Sequence, residues 1–255
     1  MSAYIAVWGS SARRSGRWLL DLVLPPRCPG RGTIIGDLHS FCLPCWTRSN
    51  FLGERGCTTC GIPFAATDSG TCAICLVKPP LIARTRAAVE YGEVARHLAV
   101  GLKYGRKIAL AKAMVRYMAP LLDCMAADAL LVPVPLHRRW VAMRGFNQSL
   151  LVACELGRLK GLEIAPRLIR RKRATPPLEG MRFSQRRRTV AGAFESRPEA
   201  AGRSIVLIDD VLTNRKYRGS VRALPLAGRR DPDRADVLVA RRAQPYIQSL
   251  NPLAK

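Results

Sequence analysis

What the chain lacks sets the first limits. No stretch of its 255 residues approaches the ~18 apolar residues that a membrane-crossing helix needs. No membrane span is therefore expected. The N-terminus sets Arg13, Arg14 and Arg17 before "WLLDLVLPP", but this apolar run is short, contains Asp21 and offers no small-residue cleavage site. It resembles a secretory signal only superficially; a short amphipathic helix and a cytoplasmic location are the expectation. Aromatic residues are scarce at 6% against 48% hydrophobic residues overall, which fits a soluble globular protein. Acidic residues are also few. Asp and Glu number 18 against 42 Lys and Arg, a net charge of +24. Such a balance favours polyanions, either nucleic acid or small phosphorylated metabolites. A GC-rich genome, by favouring Arg codons, gives the same excess with no ligand behind it, so charge alone does not define a nucleic-acid binder.

Cysteine, by contrast, is concentrated. Of nine cysteines, seven lie between residues 28 and 75, and six of these form C-x-x-C pairs: Cys42/Cys45, Cys57/Cys60 and Cys72/Cys75. Two intervening residues let both sulfurs of a pair reach one tetrahedral metal from a tight knuckle turn. Gly61, directly after Cys60, suits that turn. Cys57, Cys60, Cys72 and Cys75, with 11 residues between the pairs, form an expected zinc-ribbon site. The alternative, buried or disulfide-bonded cysteines, is less common for paired C-x-x-C in a cytosolic chain. The first site is incomplete. Cys28 stands in "PPRCPGRG", where Arg31 occupies the position a C-x-x-C would give to cysteine. Cys28, Cys42 and Cys45 supply three thiolates, and His39 is either the fourth ligand or a loop residue. Cys124 and Cys154 fall in helix-like segments and are expected to be buried apolar packing.

The texture changes near residue 80. Residues 1–80 are turn-rich and cysteine-rich and end at "VKPP"; residues 81–255 alternate strands with helices. The expected strands are 84–92, 129–137, 204–212 and 235–242. Helical spacing fills 93–125, interrupted near Tyr104–Gly105, and 147–161, with Gly161 as its stop. Alternation of this kind predicts a parallel α/β sheet. Residues 170–190 are basic, proline-bearing and poor in aliphatics, and read as a long mobile loop.

In an open parallel sheet, ligands bind beyond the carboxyl ends of the strands. Three features converge there: Asp209–Asp210 after the strand "SIVLI", the segment "PVPLHRR", and the Arg-rich 170–190 loop. Adjacent acids suit the vicinal hydroxyls of a ribose, with or without Mg²⁺, and basic loops suit phosphate. An ordinary solvated strand end is the competing explanation of the acid pair. Together the three features suggest a phosphorylated sugar.

The ordered set "LLDLVLPPRC", "FCLPCW", "CTTCG", "CAIC", "AAVEYGEVARHLAVGLKYG", "LLVPVPLHRRWVAMRGFNQS", "RKRATPPLEGMRFSQRRRTVAGAF" and "SIVLIDDVLT" resembles the ComF family over nearly the whole chain. The resemblance implies an N-terminal helix and double zinc ribbon over 1–80, then a type I phosphoribosyltransferase-like domain over 81–255. It implies an α/β fold, a parallel sheet flanked by helices. By the family pattern, Asp209 and Asp210 contact the ribose of phosphoribosyl pyrophosphate (PRPP), bound with Mg²⁺, and Thr213 opens the 5-phosphate loop. His137, Arg138 and Arg139 lie on the pyrophosphate side, with Lys103 and the 170–190 segment on the rim. The implied activity is transfer of a phosphoribosyl group to an unknown acceptor, a glycosyltransfer. The resemblance also implies an association with DNA uptake and competence, with single-stranded DNA or a competence helicase or ATPase as partner. On that second reading the chain is a catalytically inactive binding module. It departs from the pattern after Thr213, where Asn214, Arg215, Lys216 and Tyr217 replace the small residues that let a backbone close around phosphate. A compensated reading-frame disturbance and a divergence to a non-catalytic protein both account for that.

Overall fold

In the computed structural model, residues 24–53, 56–63, 70–77, 79, 82–175, 185, 188–189, 192–200, 203–213 and 235–243 are described. Two single-turn helices follow directly on cysteines: α1, Leu43–Thr47, and α2, Ala73–Val77. Then come β1, Arg84–Glu90, α3, Glu93–Lys103, α4, Leu110–Met118, and β2, Leu130–Pro133. Helices α5, Arg138–Arg144, and α6, Gln148–Lys160, precede an antiparallel pair, β3, Ile169–Arg171, with β4, Phe194–Ser196. The last strands are β5, Ile205–Asp209, β6, Leu212–Thr213, and β7, Ala235–Ala243.

The main sheet is parallel throughout, in the order β1-β7-β5-β2, with β6 also paired to β7. Leu130 stands opposite Ile205 and Pro133 opposite Ile208, so β2 and β5 end together at one edge of the sheet. Side chains alternate with period two, and both faces are covered, as continuous aliphatic runs in a parallel sheet require. Leu131, Val206 and Ile208 pack on the α3, α4 and α6 side with Leu98, Met114 and Leu156. Leu130, Val132, Ile205 and Leu207 pack on the opposite side with Leu168, Ile169 and Ala200.

Helix α3 buries Val94, Ala95, Leu98, Ala99 and Leu102, the one-stripe spacing of an amphipathic helix. It stops where expected, and Gly105 explains why. A Cβ on Gly105 would lie 2.8 Å from the Gly101 carbonyl oxygen, a close approach only glycine permits. Asn147 caps α6 by accepting from the Ser149 N–H (3.0 Å), and Gly161 ends it in the left-handed region at φ 68°.

The cysteine-rich segment is docked onto the exposed edge of the sheet. The Leu52 N–H donates to the Ala88 carbonyl (3.0 Å), the Glu90 N–H to Asn50 (2.9 Å) and the Thr85 N–H to Thr59 (2.7 Å). These bonds satisfy groups that an edge strand otherwise leaves open. Phe41 and Phe51 pack against Tyr117 of α4 with ring centroids 5.3 and 5.1 Å away, and Trp46 lies 4.4 Å from Phe51. Cys28 and Cys45 belong to the same buried cluster as Val94, Leu98 and Leu131.

Some expectations need correction. Cys124 and Cys154 are exposed, not core. Cys124 sits in a turn, its Sγ accepting from Arg84 Nη1 (3.0 Å), and Cys154 lies on the outer face of α6 beside the buried Ala153. The apolar count in those segments was met by their neighbours. The segment after "PVPL" is a helix, α5, rather than a loop, and residues 170 and 171 of the expected loop belong to β3. The rest of the basic segment from 176 to 184, the N-terminal residues 1–23 and the loop at 214–220 lie outside the described residues. Among the described residues, no helix is long and apolar enough to cross a membrane.

Leu131 is fully buried between β5 and the helices. Leu131→Ala is expected to cost about 2–5 kcal/mol in urea unfolding; a loss under about 1 kcal/mol would contradict that packing.

Candidate metal centres and the buried acid pair

Two clusters of thiols form. Cys57, Cys60, Cys72 and Cys75 bring their sulfurs within 4.8 Å of one another, as do Cys28, Cys42 and Cys45. A tetrahedron with Zn–S of about 2.3 Å has an edge of about 3.8 Å, and Cys60 Sγ stands 3.8 Å from Cys72 Sγ. The four-thiol set therefore fits zinc in donor type, number and spacing.

The local backbone makes this geometry. In the second centre Gly61 adopts φ 64° and donates its N–H to the Cys57 carbonyl (2.8 Å), closing the knuckle. The Cys60 and Cys72 N–H groups donate to Cys57 Sγ at 3.4 and 3.3 Å. Burial alone would push the Cys57 thiol up, but those N–H groups bring it down to about 6, favouring the thiolate that binds metal. Burial pushes the Cys75 thiol well up. In the first centre a hydrogen bond with Thr33, then the Cys45 backbone, lowers Cys42 to about 7, while burial raises Cys45 to about 12. Zinc binding thus releases protons, and affinity is expected to weaken as pH falls.

His39 is not among the atoms that gather at the first centre. It takes a left-handed backbone, φ 63°, three residues ahead of Cys42, and burial together with Lys112 and Arg116 lowers its pKa. The expected imidazole ligand does not join the three thiols.

At the other end of the chain, Asp209 and Asp210 close β5, 3% and 1% exposed. Asp209 Oδ1 accepts from Ser149 Oγ (3.0 Å) and from the Asp210 N–H (2.9 Å). Asp210 Oδ2 pairs with Lys103 Nζ at 3.0 Å. Burial disfavours the Lys103 charge, but Asp210 and Asp209 more than offset it, so its pKa is raised. Lys103, expected on the rim, thus faces the acids directly. His137 caps α5, its Nδ1 accepting from the Arg139 N–H (3.2 Å), with Arg138 and Arg139 exposed in the first turn. Thr213 lies in β6, opposite Ala243 of β7.

Several residues at this end were not singled out individually from sequence. Ser149 holds Asp209, and Asn147 Nδ2 donates to the Val134 carbonyl (3.1 Å), tying α6 to the exit of β2. Gln148 is buried, and its Oε1 has no hydrogen-bond partner among the described residues. Arg144 stacks between the rings of Tyr104 and Trp140, 5.3 and 5.5 Å from their centroids. Only Asn147 carried a local signal, an Asn directly ahead of a helical run.

The metal centres make the class plain: residues 19–76 match the double zinc ribbon domain. Three relatives are named DNA utilization protein YhgH. That of Escherichia coli strain K12 is 32% identical over 176 residues, 66% of this chain and 76% of its own length. That of Escherichia coli O157:H7 is 34% identical over 164 residues, 62% and 71%. That of Salmonella typhimurium is 32% identical over 163 residues, again 62% and 71%. The chain belongs with them to the ComF family of double-zinc-ribbon proteins. No solved structure matches it.

Cys72→Ser is expected to lower zinc content by one ion per chain, measured by atomic absorption after gel filtration, and to lower the thermal midpoint. Unchanged zinc content would contradict the four-thiolate assignment.

Proposed function

We propose that the carboxyl end of the parallel sheet binds a phosphorylated ribose of the PRPP type with Mg²⁺. The supporting observation is the pair Asp209–Asp210, almost fully buried and pointed to one end of the sheet by Ser149 and Lys103. A strand end in an open parallel sheet is where such ligands bind. A buried acceptor on Gln148 with no partner among the described residues supports the same reading, because native proteins rarely leave one without a use. On this reading 81–255 is a type I phosphoribosyltransferase-like domain. Its acids take the ribose hydroxyls, Thr213 opens the 5-phosphate loop, and His137, Arg138 and Arg139 face the pyrophosphate. Lys103 pairs with Asp210 in the free protein, and on this reading it turns to a phosphate oxygen when a ligand arrives. Transfer to an acceptor would then be a glycosyltransfer, driven by positioning and by stabilising the departing pyrophosphate.

Isothermal titration with PRPP and Mg²⁺ tests this reading. Heat of binding is expected, and Asp210→Asn should weaken affinity about 10- to 100-fold, the loss of one charge-assisted hydrogen bond. A thermal melt separates that loss from unfolding. Absence of heat at millimolar ligand counts against the site.

A second reading, association with single-stranded DNA in competence, alone or through a helicase or ATPase partner, is favoured by the Tyr104–Arg144–Trp140 stack. Tyr104 is 66% exposed beside a guanidinium, and the chain carries a net charge of +24. Bases stack on such surfaces without sequence preference. The relatives' name points the same way. Fluorescence anisotropy with a labelled oligonucleotide should show affinity falling steeply with salt, and Tyr104→Ala should cost about 1–3 kcal/mol. Salt-insensitive binding, or none at low salt, would sink this reading.

A further inference from the structure

The two halves of the zinc ribbon share most of their knuckle hydrogen bonds, and the correspondence isolates the position where they differ. In the second centre the Cys57 N–H donates to the Ile62 carbonyl and the Gly61 N–H to the Cys57 carbonyl, both at 2.8 Å. In the first, the Cys28 N–H donates to Thr33 and the Gly32 N–H to Cys28, again both at 2.8 Å and at the same offsets in sequence. The glycine after each knuckle is left-handed, φ 74° at Gly32 and 64° at Gly61. The other pair repeats as well. Trp46 N–H donates to Cys42 (2.9 Å) as Leu76 does to Cys72 (3.0 Å). The Cys42 N–H donates to Cys28 Sγ (3.4 Å) as the Cys72 N–H does to Cys57 Sγ (3.3 Å). By this correspondence Arg31 stands at the position of Cys60. The knuckle is fully folded, three sulfurs converge, and the residue that should carry the fourth is an exposed arginine.

No other donor fills that place among the described residues. All nine cysteines and all three histidines of the chain are described, and only Cys28, Cys42 and Cys45 gather there. The path of the chain is tight on the knuckle side: a Cβ on Gly30 would lie 2.7 Å from Cys45 Sγ. Zinc with three protein ligands keeps its fourth position for water or an incoming group.

We propose that Cys28, Cys42 and Cys45 hold zinc as a three-thiolate centre whose fourth position carries exchangeable solvent and accepts an external thiol. Thiolate is the donor that Cys60 supplies at the matching position of the second centre, and the soft, sulfur-rich set favours another. The second centre, with four protein thiolates, is closed. One chain therefore carries one structural zinc and one zinc open to exchange.

The full chain loaded with two Co²⁺ ions tests this by visible absorption. Titration with 2-mercaptoethanol, and separately with imidazole, should shift the ligand-field bands of one of the two cobalt ions, saturably, and leave the other unchanged. Zinc X-ray absorption should count about seven sulfurs per two ions. Arg31→Cys should abolish the response and give two matching four-thiolate spectra. Should that variant not fold, the parent titration and His39→Ala still decide. Failure of the first centre to bind metal, no response to either donor, or a cobalt spectrum altered by His39→Ala would each overturn the proposal.

Discussion

Two carboxylates at the end of a fully buried strand must be held by partners, and much of the architecture follows from who holds them. A buried charge without a partner costs several kcal/mol. Here the last residue of α3, Lys103, and the first turn of α6, through Ser149, meet at the end of β5. Helix α3 must stop at that point for its lysine to reach Asp210, and the Gly105 contact with Gly101 enforces the stop. Helix α6 must begin there, and Asn147 fixes its start while binding the exit of β2. Three elements distant in sequence are thereby brought to one spot.

The same arrangement sets apolar packing below the acids and polar groups around them. Below the acids, Leu131, Val206, Leu207 and Ile208 are sealed on both faces of the sheet. Above them stand polar side chains held by one another and by backbone groups, with the Gln148 Oε1 lacking a partner among the described residues. Packing supplies the platform, and the buried polar groups are held at its edge.

Much of the fold was legible in the residues. The parallel sheet showed as aliphatic runs at 130–133 and 205–209, and the α3–α4 break as Tyr104–Gly105. The four-thiolate centre followed from C-x-x-C spacing alone, since a knuckle is a local object coded by a few neighbours. What was not legible depends on distant contacts. Cys154 sits in an apolar neighbourhood yet faces outward, because a helix buries only one stripe, and Cys124 falls in an exposed turn beyond the helical run. Helix α5 was hidden behind its prolines, although His137 is its cap. Lys103 meets Asp210 across 107 positions of chain, a pairing no local pattern contains. His39, three residues before Cys42, had the spacing of a ligand but a backbone that turns elsewhere.

The docking of the cysteine-rich segment onto β1 has a wider consequence. Cys28 and Cys45 are at once thiol donors and members of the cluster that includes Leu98 and Leu131. Metal chemistry and hydrophobic packing share the same atoms' neighbours there, so the two are not separable layers. The first thiol centre is therefore built into the helix face of the sheet and is not a surface appendage. Through α3, that face ends at the lysine beside the acid pair. One packed helix, α3, thus joins the neighbourhood of the first thiol centre to that of the acid pair.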